Sequence, residues 1–244
     1  MKINEVDINY IDYGKSDKQA IVLLHGWGQN IEMMKGLGDK FIKSNRIIIL
    51  DLPGFGCSEE PTYAWTVLDY VYCIHELLTN LKIKNPILIG HSFGGKISLL
   101  YASMYEVNKL VCLASPFKCE KTNGLKTKIL KNLKQVPLLN KLEGFAKKHI
   151  GSSDYKAASE IMRSILVKTV NFDITNEVKK INCPTLLIWG TNDMAVSIDD
   201  AHELEHLIKD AGLVIYDNCT HYAYLERFNQ TVSVLKSFIG EELK

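Results

Sequence analysis

Serine, aspartate and histidine stand at three separated points of this chain in settings that suit nucleophilic chemistry. Gly90-His91-Ser92-Phe93-Gly94 follows the apolar run Ile87-Leu88-Ile89 and passes into the helical pattern Lys96-Ile97-Ser98-Leu99-Leu100. A serine on such a strand-to-helix turn takes a strained backbone conformation, and glycines two residues to either side remove side chains that would clash. A hydroxyl is a poor nucleophile at neutral pH. It needs an imidazole to take its proton, and the imidazole needs a carboxylate to hold its tautomer and stabilise its charged form. Trp189-Gly190-Thr191-Asn192-Asp193 and Tyr216-Asp217-Asn218-Cys219-Thr220-His221 each close an apolar run and supply these two groups. Ser92, Asp193 and His221 also come in the chain order that such a serine turn requires. They are the expected catalytic residues.

Other candidates fit less well. His202 and His206 fall within one helical pattern, His75 within another and His149 within an inserted segment, where surface or packing roles are expected. His91 adjoins the nucleophile, and that adjacency points its side chain away from Ser92. Asp51 comes too early in the chain for the acid; Asp199 and Asp217 also compete, and Asp217 lacks a matching turn. A carbonyl under attack needs preorganised hydrogen-bond donors for its developing charge. The Phe93 backbone N–H at the helix start is one expected donor. The loop His25-Gly26-Trp27-Gly28 holds the other, taken as the Trp27 N–H. Trp27, Phe93, Met194 and Tyr222 adjoin these positions and are expected to line a pocket.

These residues need a scaffold that brings strand ends together. Residues 20–24, 46–50, 109–114 and 185–189 are apolar without alternation, the pattern of parallel strands covered on both faces. Residues 8–13 alternate and predict an antiparallel strand, and 213–216 predict one more. Apolar spacing predicts helices over 66–81, from the serine turn to about 105, over 200–209, and at the C-terminal end, with Val232, Leu235, Phe238 and Ile239 facing inward. Alternating strands and helices predict an α/β fold with a doubly wound, mostly parallel sheet, in which ligands bind beyond the carboxyl ends of the strands.

The alternation stops between Pro116 and about Thr175. Three amphipathic stripes replace it: Leu125, Ile129, Leu130 and Leu133; Leu138, Leu142, Phe145 and Ala146; and Ala158, Ile161, Met162, Ile165 and Leu166. Residues 117–175 therefore read as a helical cap inserted into a core of 1–116 and 176–244. Between Phe117 and Ile150 nine lysines face two acidic residues, Glu120 and Glu143. Such a run is ordinarily a solvated helix face; attraction of an anionic substrate or lipid surface is the alternative.

Over the 244 residues, 29 Lys and Arg nearly balance 28 Asp and Glu, so no global field favours nucleic acid. No apolar stretch reaches the roughly 20 residues of a membrane helix, and the first residues lack the apolar core of a signal peptide. A cytoplasmic protein without an integral membrane segment is expected. The six cysteines are scattered without a C-x-x-C pair, which predicts reduced thiols and no metal centre.

With His25-Gly26-Trp27-Gly28, Asp51-Leu52-Pro53-Gly54-Phe55-Gly56-Cys57-Ser58, Gly90 to Gly95, Trp189 to Asp193, and His221 with Leu225-Glu226-Arg227, the chain resembles the α/β-hydrolase superfamily over nearly its whole length. The resemblance implies an eight-stranded sheet with helices on both faces and a helical cap after the sixth strand, as in small carboxylesterases. Two departures stand out: Ser197 where proline often follows the acid, and Thr220 where glycine often precedes the histidine. A serine nucleophile argues against the family's dehalogenases and epoxide hydrolases, which need a carboxylate. The expected function is a serine hydrolase acting on a small-molecule carboxylic ester, needing no metal or cofactor. Carbon–carbon bond hydrolysis or a lyase step with the same residues, or a slow-turnover ligand sensor, are the alternatives.

Overall fold

The computed structural model describes residues 1–119 and 158–240. Its strands are β1 (Lys2–Ile3), β2 (Val6–Asp7), β3 (Tyr10–Gly14), β4 (Ala20–Leu24), β5 (Arg46–Leu50), β6 (Ile87–His91), β7 (Lys109–Leu113), β8 (Thr185–Gly190) and β9 (Ala211–Tyr216). Its helices are α1 (Ile31–Gly38), α2 (Val67–Asn80), α3 (Phe93–Met104), α4 (Glu160–Val170), α5 (Thr175–Val178), α6 (Ile198–Leu207), α7 (Ala223–Glu226) and α8 (Phe228–Ile239).

Among the described residues the main sheet has seven strands in the order β3-β5-β4-β6-β7-β8-β9, not eight. The difference lies at the start of the chain, where β1 and β2 pair with each other as a separate antiparallel ribbon. Segment 117–175 therefore follows the fifth strand of the main sheet, β7, and not a sixth. Within the main sheet only β3 runs antiparallel, against β5; its other pairings are all parallel.

The unalternating apolar runs are explained by burial on both faces. Successive residues of a strand point to opposite sides, so Val22, Leu24, Ile48, Leu50, Leu88, Cys112 and Leu187 enter one core with α2, α3, α4 and α6. Ile21, Leu23, Ile47, Ile49, Ile89, Val111 and Ile188 enter the other with α1 and α8. A parallel strand needs a helical crossover to its neighbour, and these helices cover the faces they cross. Helix α1 occupies a stretch that the apolar pattern leaves unassigned: it is only eight residues long and carries Gly36 and Gly38, so its helical signal is weak.

Helix ends are set by local chemistry. Thr66 and Asp69 form a reciprocal capping box on α2, and Ser159 Oγ accepts the Met162 N–H at the start of α4. The third predicted stripe is seen in α4, where Met162 and Ile165 are buried. The first two stripes, His149 and every lysine of the basic run except Lys118 lie outside the described residues. Lys118 pairs with Asp200 at 2.7 Å and with Glu203 at 2.5 Å on α6. The two ends of the insertion are clasped: Ile174 N–H donates to Phe117 O at 2.9 Å and Cys119 N–H to Asp173 Oδ2 at 3.1 Å.

Candidate active site

Ser92 lies between the carboxyl end of β6 and the first turn of α3, with φ 50° and ψ −112°. This left-handed conformation is uncommon for a residue with a side chain. Close backbone packing imposes it: a Cβ at Gly90 would come within 2.5 Å of Gly94 O, and one at Gly94 within 2.5 Å of His25 O. The Gly94 N–H donates to that same His25 carbonyl at 3.1 Å, which ties the helix start to the loop after β4. Ser92 N–H donates to Leu113 O at the end of β7, at 2.9 Å. The backbone on either side is held while the Ser92 side chain stays half-buried.

Asp193 and His221 come from the loops after β8 and β9. His221 Nδ1 lies 2.8 Å from Asp193 Oδ2. The other carboxylate oxygen, Oδ1, accepts the Ala195 and Val196 N–H groups at 2.8 and 2.9 Å. With its side chain fully buried, Asp193 has both oxygens satisfied and one direction left in which to orient the imidazole. Nδ1–H donation leaves the Nε2 lone pair free to take a proton. Both family departures have a structural role here. Ser197 Oγ accepts the Asp199 N–H at 3.1 Å and caps α6. Thr220 N–H donates to Glu226 Oε2 at 3.0 Å, and its hydroxyl bonds the other Glu226 oxygen, anchoring the loop before His221 to α7.

Trp27 and Phe93 face one another, with ring centroids 5.4 Å apart. Among the described residues neither backbone N–H donates a hydrogen bond. Phe55 packs edge-on against Trp27 at 4.8 Å, and Tyr70 edge-on against Phe93 at 5.0 Å, giving an aromatic wall. Two of the four expected lining residues sit otherwise. Tyr222 is buried, with its hydroxyl turned to Gln29, and Met194 is 72% exposed.

Several residues that residue types and chain order passed over hold the loops together. Asp51, set aside as an acid, accepts from Ile31 N–H (2.7 Å), Cys57 N–H (2.8 Å) and Asn9 Nδ2 (2.8 Å). A carboxylate so engaged is a clamp between loops. His25 Nε2 accepts the Leu52 N–H at 2.9 Å while Nδ1 meets Gly26 O at 2.7 Å. Burial pushes this ring down to about 4, so it is held neutral in one tautomer. His91 does point away from Ser92. Its Nε2 lies 3.1 Å from His221 O, and burial, reinforced by the neighbouring His221 ring, keeps it well below the ordinary histidine value.

Among the described residues no group of three His, Cys, Asp or Glu side chains could hold a metal ion, and no helix is long and apolar enough to cross a membrane. A cleft of about 570 Å³ near Tyr105, Asn108 and Pro184 opens at the amino ends of β7 and β8, away from these residues.

Comparison with known proteins agrees with this architecture. The family model for the alpha/beta hydrolase fold matches residues 19–146. A 2-hydroxy-6-oxononadienedioate/2-hydroxy-6-oxononatrienedioate hydrolase from Paraburkholderia phymatum is 28% identical, over 97% of this chain and 92% of its own length. A pimeloyl-[acyl-carrier protein] methyl ester esterase from Aliivibrio fischeri is 24% identical, over 91% and 93%. Among solved structures, the enol-lactonase from Burkholderia xenovorans superposes with a TM-score of 0.85 at 20% identity, covering 99% of each chain, a likeness of fold.

Proposed function

The chain belongs to the α/β-hydrolase family, and on that premise we propose that it is a serine hydrolase cleaving carboxylic esters of small to medium size through an acyl-enzyme. The observation that carries this reading is the 2.8 Å contact of His221 Nδ1 with the buried Asp193 carboxylate, at the same sheet edge as a strained serine. His221 Nε2 takes the proton of Ser92 as Oγ attacks the ester carbonyl. The N–H groups of Trp27 and Phe93 hold the oxyanion. The tetrahedral adduct collapses, the C–O bond breaks, and the alcohol leaves with the proton from His221. Water, deprotonated by the same ring, then adds to the acyl group and releases the acid and Ser92.

In this reading residues 117–175 are a cap over the site. The clasp of Phe117 to Ile174 supports it, as does the seating of α4 on the loop after β5, where Lys168 Nζ reaches Ala64 O and Met162 lies over Gly54.

Hydrolysis of a carbon–carbon bond in a vinylogous diketone is the second reading, favoured by the 28% identity to the 2-hydroxy-6-oxononadienedioate hydrolase. A panel of p-nitrophenyl esters and such diketones, assayed with wild type and Ser92→Ala, tests both. Ester turnover that falls on the order of 10⁴-fold in Ser92→Ala is expected. Near-full turnover in that variant overturns the serine mechanism, and a preference for the diketones selects the second reading.

A further inference from the structure

Gln29 is a buried side chain in the turn after β4, and it touches a second loop 193 residues away. Its Oε1 accepts the Gly26 N–H at 2.8 Å, and its own N–H donates to Gly26 O at 3.2 Å, so the four-residue turn around Trp27 is closed twice. The donor Gly26 N–H fixes which end of the amide is oxygen. The amide nitrogen then donates to the Tyr222 hydroxyl at 3.3 Å, and Tyr222 follows His221 in the chain. Burial pushes that phenol up to about 12, which keeps its oxygen neutral. His91, the residue before Ser92, completes the arrangement. Its Nδ1 lies 3.3 Å from Gln29 Oε1 and its Nε2 3.1 Å from His221 O. A neutral ring has one N–H for these two oxygens, so the firm attachments of Gln29 are to Gly26 and Tyr222.

We propose that Gln29 is a positioning residue that couples the turn carrying the Trp27 N–H to the loop carrying His221. The proposal rests on the serine-hydrolase reading, since the Trp27 N–H matters only if an oxyanion forms beside Ser92. Donors aimed at a developing charge act on the transition state far more than on the bound ester. Loosening the turn therefore lowers kcat and leaves KM nearly unchanged. A merely structural role would move stability without this split.

Two variants remove the link from opposite ends: Gln29→Leu deletes both amide attachments at similar volume, and Tyr222→Phe deletes only the hydroxyl. Measured on the best ester of the panel, Gln29→Leu is expected to lose on the order of 10- to 100-fold in kcat, short of losing an oxyanion donor outright, with KM within about twofold. Affinity for a trifluoromethyl ketone, which forms a tetrahedral oxyanion on the serine, should fall in proportion to kcat/KM. Gln29→Glu, which keeps the acceptor for Gly26 N–H, should recover part of the loss. Tyr222→Phe should give a smaller loss that does not add to that of Gln29→Leu. A kcat within twofold of wild type in Gln29→Leu, or full additivity with Tyr222→Phe, overturns the proposal; should Gln29→Leu not fold, an unchanged kcat in Tyr222→Phe does so. Fluorophosphonate labelling of wild type, located by mass spectrometry, separates the two failures: a label on Ser92 with an inert Gln29 sinks only the coupling, and no label on Ser92 sinks the serine reading.

Discussion

Asp193 and Asp51 are both buried carboxylates just beyond strand ends, and their partners distinguish them. Asp193 spends one oxygen on two backbone N–H groups and points the other at an imidazole, whereas both oxygens of Asp51 are taken by groups from two loops and the start of α1. Lys96 is a third buried ionisable group. It stands one turn after Ser92 on α3, yet its ammonium turns to Thr169 O at the end of α4, at 3.0 Å. Burial pulls it down to about 8, with Asp173 and Cys119 opposing. The unfolded chain keeps its lysine protonated up to about pH 10.4, so between about pH 8 and that value the folded form binds fewer protons and stability rises with pH. Lys96→Met is expected to raise the urea midpoint at pH 7 and to abolish that rise. An unchanged slope between pH 8 and 10 in the variant would refute the assignment.

At the scale of elements, short caps and loop anchors aim the site. Helix α6 begins five residues after Asp193, and Ser197 caps it. Losing the side-chain acceptor of a helix N-cap costs about 1 kcal/mol. Ser197→Ala should show that loss in chemical denaturation, with activity changed only as far as the Asp193 loop moves. A loss below the error of the titration would mean that the cap is replaced by solvent. The central strands behave differently, because their residues are buried on both sides and no single contact defines them.

For the whole molecule, His25 and His91 make folding sensitive to acid. Both rings are fully buried and held neutral, His25 at about 4 and His91 well below its ordinary value. The unfolded chain binds a proton at each ring below about pH 6.5. The folded chain resists until lower pH, so unfolding becomes easier as pH falls through this window. His25 alone should withdraw roughly 3 kcal/mol of stability between about pH 6.5 and 4. Urea unfolding at half-unit steps across that range should show a falling midpoint, shallower in a His25→Gln variant that still folds. A flat profile down to pH 4.5 would show that these rings are already charged in the folded protein.

The strand runs, the serine turn and the order serine, aspartate, histidine were legible in the residues because each is a local pattern with a steric or chemical cause. Ser92 needs Gly90 and Gly94 within two residues, and parallel strands read as unbroken apolar runs wherever they lie. The role of Gln29 was not legible, because a glutamine in a turn becomes a link only when residue 222 is folded against it. The same holds for Asp51, whose partners Asn9, Ile31 and Cys57 come from three segments, and for Tyr222, a residue expected to line a pocket that is instead buried with its hydroxyl on Gln29. The separate β1–β2 ribbon, which leaves the main sheet at seven strands, likewise depends on pairing at a distance. Sequence by itself determined which groups could react, since reactivity resides in residue type and local backbone. Tertiary structure alone decided which groups hold them, since that depends on contacts between segments far apart in the chain.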